Sequence, residues 1–435
     1  MTLSSSLNAG VAGLTVNSSK LGTISDNIAN SQTAGYKRVD TSFSALVVSE
    51  GGGRYAAGGV TATSFREVDA RGGLITSDSA TDIAIGGRGL LPVAPVSSLS
   101  NVDTQLPVQF VTTGSFNTDA SGVLRTASGL ALLGWPADRD GSIPQFARDT
   151  VSDLQPVVIN SGALLGAPTT KISLGVNLPA DLAKAGASGD PIPLSIEYFD
   201  NVSASQSLDI RFTPTIPAAG SSNEWTVTIN DSQTAAASNP VATFVVTFDT
   251  SSTAGGSIST ITGATGGAYD AATGIFTFNT GGGPIEMDIG TPGDIVGLTQ
   301  LSAEFQPTGI SKNGSPVGSL KSIDIDENGF VKGVFEGGFV RTLYQIPLAD
   351  FPNLNGLRAV DNGAFVASPE SGNMFLWNAG DGPTAGVVNF ALEGSSADIA
   401  EELTSLITTQ RAYSSNATVI RTVDEMLQET TNLKR

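Results

Sequence analysis

The sequence predicts a mainly β protein with α-helical termini. Three observations predict this fold class: apolar residues recur at heptad spacing near both ends, apolar and polar residues alternate in the middle, and turn-forming glycine and proline are abundant, at 51 and 21 of 435 residues. This composition, with 40% hydrophobic residues, is typical of many short strands around buried cores. A chain of this length is expected to hold about three domains.

The terminal helices are predicted from apolar residues spaced alternately by four and three positions. Such spacing places them in a narrow stripe along one side of a helix, as in coiled coils. The N-terminal stripe comprises Leu3, Leu7, Gly10, Leu14, Asn17, Leu21, Ile24 and Ile28. The C-terminal stripe comprises Ile399, Leu403, Leu406, Gln410, Tyr413, Ala417, Ile420, Asp424 and Leu427. Stripes at both ends favour one parallel or antiparallel helix pair, and an amphipathic helix packed on its own domain is the alternative for each.

The start of the C-terminal helix is predicted at Ser395-Ser396, because serine side chains cap helices well. Asp398, Glu401 and Glu402 follow in the first turns. Acidic side chains there interact favourably with the positive end of the helix dipole.

The middle of the chain, from about residue 31 to 395, is predicted to be mostly β because short runs alternate with period two. Examples are 208–212, 225–229, 244–248 and 274–278, which are rich in β-branched and aromatic residues. Boundaries are expected near 150 and 305, so that 151–305 forms one β domain inserted into another. Glycines at 51–53 and 58–59 predict an irregular connecting segment.

Charge and residue types exclude several function classes. With a net charge of -19 and a pI near 4.3, the surface repels nucleic acids and anionic membranes, and neither is expected as a partner. The chain has no cysteine and no histidine, so disulfides, cysteine zinc sites and histidine general bases are excluded. We expect no enzyme, no cofactor and no metal; a carboxylate hydrolase is the remote alternative.

Targeting signals are not evident in the residues. The first ten residues lack the basic and apolar regions of a secretory signal. No run of about 18 apolar residues predicts a transmembrane helix. The residues alone therefore predict a cytoplasmic protein.

Three segments look like chemical sites and are better explained as turns or loops. Asp324–Gly329 begins like a calcium loop, but its twelfth position is Phe335 where glutamate is needed, so Asn328-Gly329 is expected to be a hairpin turn. The segment Gly86-Gly87-Arg88-Gly89 is too short for a phosphate loop, and its glycines have the wrong spacing; a glycine turn is expected. Asp138, Asp140 and Asp149 are expected to be solvated loop acids.

The most specific segment, 25–38, reads as a helix end followed by a strand, with Gly35 suited to positive φ. It resembles the signature of the flagellar rod, hook and hook-associated protein family, Asn-x-Ala-Asn-x-x-Thr-x-Gly-Tyr-Lys. The matching positions are Asn27, Ala29, Asn30, Thr33, Gly35, Tyr36 and Lys37.

Further segments resemble the same family. Residues 403–416, with Gln410, Arg411, Tyr413 and Asn416, and then 422–427 resemble its C-terminal helix. Residues 82–90, 114–124, 132–136, 323–330 and 346–353 resemble the two halves of a hook subunit's first β domain. Two departures are Leu90-Leu91, where the family usually has two Phe, and Val111–Thr113, where it usually carries an Arg.

The resemblance implies a concentric, non-enzymatic subunit that self-assembles into a flexible hook tube, a universal joint that transmits motor torque from rod to filament. Residues 1–30 and 396–435 would form a coiled-coil-like inner helical layer, and 31–72 with 384–395 an irregular connecting layer. Residues 73–150 with 306–383 would form the first β domain, and 151–305 the outer one. The assembly residues would be the signature residues together with residues of both helices. In the N-terminal helix they are Leu3, Leu7, Leu14, Leu21, Ile24 and Ile28, and in the C-terminal helix they are Ile399, Leu403, Leu406, Gln410, Arg411, Tyr413, Asn416, Ile420 and Leu427.

The resemblance also implies partners and a location. They are further copies of the chain, the distal rod protein, the hook cap, the hook–filament junction proteins and the flagellar type III export apparatus. The protein would be extracellular, in the hook of the flagellum, and exported without a cleavable signal peptide. A distal rod or junction protein is the alternative within the family, and a secreted β-rich adhesin is the remote alternative outside it.

Overall fold

The computed structural model describes residues 3–46, 58–99, 106–138, 141–160, 162 and 164–432. The chain divides into two compact units. Unit 1 comprises Met1–Ser161, Ser322–Val334 and Val340–Arg435, and unit 2 comprises Gly162–Lys321 and Phe335–Phe339.

Unit 1 contains the two long helices, α1 (Leu3–Ala29) and α2 (Ile399–Asn432). The first part of the chain adds ten strands to it. They are β1 (Val39–Ala45), β2 (Val60–Arg66), β3 (Leu74–Thr76), β4 (Asp82–Ile85), β5 (Leu91–Pro95), β6 (Gln109–Val111), β7 (Thr113–Thr118), β8 (Leu124–Thr126), β9 (Leu130–Pro136) and β10 (Gln155–Pro156).

The chain then forms the strands of unit 2. They are β11 (Leu164–Ala167), β12 (Lys171–Pro179), β13 (Ile192–Phe199), β14 (Ser205–Pro214), β15 (Glu224–Asp231), β16 (Ala242–Phe248), β17 (Ile258–Thr265), β18 (Gly267–Asp270), β19 (Ile275–Thr280), β20 (Gly283–Asp288), β21 (Leu298–Leu301) and β22 (Gln306–Lys312). Strand β23 (Ser315–Ile325) begins in unit 2 and ends in unit 1.

The returning chain completes unit 1. Its strands are β24 (Phe330–Phe335), β25 (Val340–Gln345), β26 (Pro347–Asp350), β27 (Arg358–Ala359), β28 (Phe365–Val366), β29 (Phe375–Asn378), β30 (Val387–Asn389) and β31 (Ala391–Glu393). Short 3₁₀ turns lie at Val96–Ser98, Ala180–Ala183, Ala236–Ser238, Glu336–Gly338 and Leu354–Gly356. The turn at Asp361–Gly363 is not helical, because Asn362 has φ 65°.

The sheets of unit 1 are antiparallel. The main sheet runs β24-β25-β9-β5-β6-β28-β27, and a branch runs from β9 through β8, β7 and β4 to β30. Smaller pairs are β1 with β2, β3 with β31, and β26 with β29. The apolar core includes Leu90, Phe110, Leu133, Trp135, Phe351 and Phe365, and the Phe110 and Phe351 rings meet edge to face at 5.1 Å. Leu90-Leu91, the departure from the family pattern, is fully buried.

Unit 2 is a sandwich of two sheets. One sheet is antiparallel and runs β13-β14-β15-β16-β17. The other runs β18-β19-β20-β12-β21, with β12 parallel to β20 and β21, and with β22 paired to β12. The strict alternation of buried and half-buried residues along β15 and β16 places one face of the first sheet in a shared core. Phe244 of β16 meets Phe276 of β19 at 4.6 Å, which joins the two sheets.

The structure confirms the predicted fold class of a mainly β chain with helical ends that pack together. The predicted runs at 208–212, 225–229 and 244–248 lie within β14, β15 and β16. The run at 274–278 lies within β19 except for its first residue, because β19 begins at Ile275. Asn328-Gly329 forms the expected turn, with Gly329 at φ 76°. No helix among the described residues is long and apolar enough to cross a membrane.

The bounds of the units differ from the predicted domain bounds. The main segment of unit 2 runs from 162 to 321 and not from 151 to 305, and the separate segment Phe335–Phe339 also belongs to it. Residues 154–159 stay with unit 1, because β10 pairs with β9 and the Val157 amide donates to Leu132 O. Strand β22 extends unit 2 beyond 305 because it pairs with β12 along six residues of that strand. The sequence of β22 alternates only weakly between apolar and polar residues, so it did not predict a strand of unit 2 there.

The segment predicted to be irregular is partly regular. Its described part contains the β1–β2 hairpin, and 384–395 contains β30 and β31. The hairpin forms because one face packs on α1, where Thr23 Oγ1 lies 3.1 Å from Thr41 Oγ1 and Lys20 Nζ lies 5.5 Å from the centre of the Phe43 ring. Gly51–Gly53 and Asp140 lie outside the described residues.

Candidate assembly site at the helix junction

The signature segment forms a polar junction between the end of α1 and the start of α2. We define the junction as Asn27, Tyr36, Lys37, Arg38, Glu393 and Glu402. Residues from the two ends of the sequence, more than 350 positions apart, meet here through side-chain contacts. The junction is therefore where the chain closes on itself.

Asn27, which is buried, uses its whole side-chain amide. Its Nδ2 donates to Val39 O and to Glu402 Oε1, both at 2.9 Å. Its Oδ1 accepts from the Val39 amide at 2.9 Å and from the Tyr36 hydroxyl at 3.0 Å. Because an amide offers two donor hydrogens and one acceptor oxygen, this side chain is saturated. Asn27 thus joins α1, β1 and α2.

Glu402, in the first turns of α2, is the second member of this contact. Arg38 Nε donates to Glu402 Oε1 at 2.6 Å, on the same oxygen that accepts from Asn27. Two weaker ion pairs surround the guanidinium, to Glu67 at 3.7 Å and to Glu401 at 3.4 Å. Glu402 is almost fully buried, so these partners have to replace the water that would otherwise solvate its carboxylate.

Lys37 and Glu393 form a fully buried ion pair. Lys37 Nζ donates to Glu393 Oε1 and to Ala70 O, both at 2.7 Å. The Gly72 amide donates to the same carboxylate oxygen at 3.0 Å, and Arg71 Nη1 lies 3.6 Å from the other. Burial lowers the pKa of Lys37, and the negative charge of Glu393 opposes that shift. Such a buried pair is costly to break, because either partner alone is an uncompensated charge.

Tyr36 covers the outer side of the junction. Its hydroxyl lies 2.9 Å from Asp26 Oδ2, and the Arg66 guanidinium lies 5.1 Å from the centre of its ring. Burial, followed by the hydrogen bond to Asp26, raises the pKa of Tyr36 to about 12. The Tyr36 carbonyl accepts from the Ser396 amide at 3.0 Å.

The other signature positions shape the chain around the junction. Gly35 has φ 71° and donates its amide to Glu393 O at 2.8 Å; a Cβ there would lie 2.9 Å from Thr113 Cγ2. Thr113 Oγ1 accepts from the Glu393 amide at 3.0 Å. Asn30 Nδ2 donates to Asp26 and Thr33 Oγ1 donates to Asn30 Oδ1, which fixes the turn after α1. Ala29 is exposed.

The start of α2 differs from the prediction. Asp398 caps the helix, since its Oδ1 accepts from the amides of Ala400 at 2.7 Å and Glu401 at 3.1 Å. Ser396, predicted to start the helix, instead accepts from the Arg38 amide through Oγ at 2.9 Å. The helix therefore begins at Ile399, and the serine contacts the junction through Arg38 and Tyr36.

The two helices pack antiparallel, with small residues of α1 against α2. A Cβ on Gly10 would lie 3.1 Å from Ile420 Cγ1, and one on Gly13 would lie 2.8 Å from Asn416 Nδ2. A side chain at either position would require Ile420 or Asn416 to shift, so the two glycines permit this close approach. Within the α1 stripe, Gly10, Asn17 and Ile24 are buried, and Leu7, Leu14, Leu21 and Ile28 are half-buried. The side chain of Leu3 lies outside the described residues.

The α2 stripe faces α1 only in part. The buried positions of α2 are Glu402, Thr409 and Val423. Leu406, Asn416, Ala417 and Ile420 are half-buried, whereas Ile399, Leu403, Gln410, Arg411, Tyr413, Asp424 and Leu427 are exposed. Leu403 and the nearby Ile407 are 48% and 50% exposed. The apolar row Ile399, Leu403 and Ile407, which we call the outer row, is left without cover from α1.

Sequence reasoning missed the partners that complete the junction. Arg38, Glu393 and Glu402 had no predicted role in it, although Glu402 was expected near the helix start. One signal was available for Glu393. In β31 it lies two residues after Ala391, so both side chains are on the buried face of the strand, where an acidic residue is unusual. Its partner Lys37 is far away in sequence, so the pairing itself could not be read from spacing.

The whole chain is similar to known flagellar proteins. It is 32% identical over 441 residues to the flagellar hook protein FlgE of Brucella suis, and this match covers 100% of both chains. The chain belongs to the flagellar hook protein family. It is a structural subunit of the bacterial flagellar hook and serves motility.

Other hook proteins match over nearly the same extent. FlgE of Rhizobium meliloti is 30% identical, with 100% of both chains covered. FlgE of Salmonella typhimurium is 27% identical, with 99% of this chain and 100% of the relative covered. These full-length matches favour a hook subunit over the distal rod or junction alternative.

Two family models match the ends of this hook-family chain. One, described as flagella basal body rod protein, matches residues 7–37, and the other, described as flagellar basal body rod FlgEFG protein C-terminal, matches 388–433. Both ranges contain residues of the junction. A crystal structure of Helicobacter pylori hook protein FlgE2 aligns with a TM-score of 0.44 and 14% identity, covering 73% of this chain and 100% of that one.

Proposed function

We propose that copies of this chain polymerise through α1 and α2 into a flexible tube that transmits torque between rod and filament. The observation that carries this proposal is the outer row: Ile399, Leu403 and Ile407 are exposed on α2 while the opposite side of the helix packs on α1. Contiguous exposed apolar side chains are a common feature of protein–protein contacts, and these three lie on one side of a single helix. A neighbouring copy would cover the row, and the stripe residues would be assembly residues.

The junction has a supporting role in this proposal. It fixes the angle and register of α1 and α2 within one subunit, through Asn27 and Arg38 on one oxygen of Glu402. A helix pair with a fixed register presents the same surface in every copy. Identical surfaces are what a helical homopolymer repeats.

The remaining partners are proposed by analogy with the hook family. We propose the distal rod protein, the hook cap and the hook–filament junction proteins as contacts of the ends of the tube. Export through the flagellar type III apparatus, without cleavage of a signal peptide, is proposed for delivery outside the cell. The absence of cysteine favours this route, since no oxidation can trap the chain in transit. Sequencing of the N-terminus of subunits from isolated hooks tests it, and a mature chain starting well inside α1 would contradict it.

The polymerisation proposal is tested by a paired substitution on α2. Leu403→Asn with Ile407→Asn removes the outer row, and the purified double variant is expected to polymerise only at a raised critical concentration. Thr404→Asn with Thr408→Asn is the matched control, because both threonines are exposed on the same turns and threonine and asparagine have similar helix propensity. Sedimentation of the assembled material measures both. Equal critical concentrations for the two double variants would refute a role for the outer row.

A further inference from the structure

The chain contains four Asn-Gly pairs, which begin at Asn313, Asn328, Asn355 and Asn362. In such a pair the glycine carries no side chain, so its backbone nitrogen can approach the preceding asparagine side chain with little steric hindrance. The surrounding contacts then decide whether the two groups can meet. These contacts differ sharply among the four pairs.

The Asn362-Gly363 pair is held weakly. It forms the two central residues of a tight turn between β27 and β28, with φ 65° at Asn362 and 69° at Gly363, as in a type I′ hairpin turn. Both residues are exposed. The bond that closes the turn, from the Ala364 amide to Asp361 O, is 3.5 Å long, and the bond from Asn362 Nδ2 to Ser128 O is 3.4 Å long. Hydrogen bonds of this length are weak.

Asn313 is held far more firmly. Its Oδ1 accepts from the amides of Thr170 and Lys171 at 3.0 and 2.9 Å, and its Nδ2 donates to Thr170 Oγ1 at 2.8 Å. The side chain that would be attacked is therefore held in one orientation by three hydrogen bonds. Opening this site requires all three to break.

The other two pairs have engaged glycine nitrogens. Gly329 donates its amide to Asp326 O at 3.0 Å, and Gly356 donates its amide to Asn353 O at 3.2 Å. Asn355 Oδ1 also accepts from the Asp69 amide at 3.2 Å. In both pairs the glycine nitrogen that would attack already donates a hydrogen bond. The turn and loop hydrogen bonds of the described residues include none from the Gly363 nitrogen.

We propose that Asn362 is a site of spontaneous deamidation. A solvent base removes the proton of the Gly363 amide, and the nitrogen attacks Asn362 Cγ, so that an N–Cγ bond forms. The Cγ–Nδ2 bond breaks, and Nδ2 leaves as ammonia after taking a proton from water. Water then adds across one C–N bond of the cyclic imide and yields aspartate or isoaspartate. No oxidant or reductant is involved.

The reaction changes the subunit in two ways. Every event adds one negative charge to a chain whose net charge is -19. The isoaspartate product also inserts an extra carbon into the backbone of a turn that pairs Ala359 with Phe365, at the edge strand of the main sheet of unit 1. Subunits that persist in a polymer would accumulate both changes with age.

Peptide mapping by mass spectrometry tests the proposal on the full chain. The folded protein is held at mildly alkaline pH and digested at mildly acidic pH, where the reaction is slow. Because three hydrogen bonds protect Asn313, conversion at Asn362 is expected to exceed conversion at Asn313 by at least about tenfold. In denaturant the four pairs are expected to convert at similar rates, since only the local sequence remains.

Two variants complete the design. Asn362→Gln is expected to abolish most of the early ammonia release from the folded protein, whereas Asn313→Gln, the matched control, is expected to leave it unchanged. Conversion at Asn362 no faster than at any one of the other three pairs in the folded chain would overturn the proposal. So would an Asn362 rate that denaturation raises as strongly as the Asn313 rate.

Discussion

The junction and the core of unit 2 both contain fully buried side chains but are held together by opposite chemistry. The junction consists of charged and amide groups whose partners lie more than 350 positions away. The core of unit 2 consists of apolar side chains on neighbouring strands, such as Val227 on β15 beside Phe244 on β16. The two regions differ in how well they tolerate side-chain substitutions. A core accepts volume-conserving exchanges, whereas a buried polar network fails when one partner is lost.

The largest expected effect is at the buried ion pair. Lys37→Ala leaves Glu393 buried without its main partner and should lower the free energy of unfolding of unit 1 by about 3–5 kcal/mol. Lys171→Ala is the matched control, because Lys171 is 71% exposed in its 3.5 Å pair with Glu286 and should contribute less than about 1 kcal/mol. Urea unfolding measures both. If Lys37→Ala lowered the free energy of unfolding by less than Lys171→Ala does, the junction would not be more sensitive to the loss of one partner than the surface of unit 2.

The next effect concerns the saturated amide. Asn27→Ala leaves the amide and carbonyl of Val39 and the carboxylate of Glu402 short of partners, and should cost about 2–3 kcal/mol. Asn30→Ala is the control within the same motif, since Asn30 bonds only within its own turn, and should cost less than about 1 kcal/mol. Thermal unfolding compares them. Similar losses for the two asparagines would mean that position in the motif, not the contact to α2, determines stability.

A smaller effect is expected in the core of unit 2. Ile210→Val removes one methyl group from a fully buried position on β14 and should cost about 0.5–1.5 kcal/mol. Hydrogen exchange at Tyr36–Arg38 should stay unchanged, because the substitution is local to unit 2. Val202→Ala, at an exposed turn, should change stability by less than about 0.5 kcal/mol. Faster exchange at the junction in the Ile210 variant would show that the two regions are coupled.

The last effect depends on pH. The pKa of Tyr36 is raised from 10.0 to about 12, so the folded chain holds this proton more tightly than the unfolded chain. The stabilisation from Tyr36 is therefore complete below about pH 10 and is lost as the pH rises toward 12. The difference in unfolding free energy between the wild type and Tyr36→Phe should narrow across that interval. A constant difference would show that the phenol proton is not what stabilises the junction.

The same comparison explains what sequence could and could not predict. Strands such as Trp225–Ile229 were predictable because each residue's burial follows from its own phase in the alternation. The signature residues were recognisable as a family motif, but the pairing of Lys37 with Glu393 depends on long-range folding. The α2 stripe was identified in sequence, yet its apolar residues at 399 and 403 remain about half exposed, whereas the contacts of Gly10 and Gly13 on α1 are with Ile420 and Asn416. Heptad spacing identifies a stripe but does not specify its partner.

The junction lies at one end of the helix pair, at residues 27 and 402, and this placement has a mechanical consequence. At 27 residues and 1.5 Å per residue, α1 is about 40 Å long, and its polar contacts with the start of α2 lie near its last turn. At this length, a change of about 5° in the angle between the helices corresponds to about 3–4 Å at the far end of α1. The close contacts of Gly10 with Ile420 and of Gly13 with Asn416 oppose such a displacement. The angle between the helices is therefore held at two places, the junction and the glycine contacts.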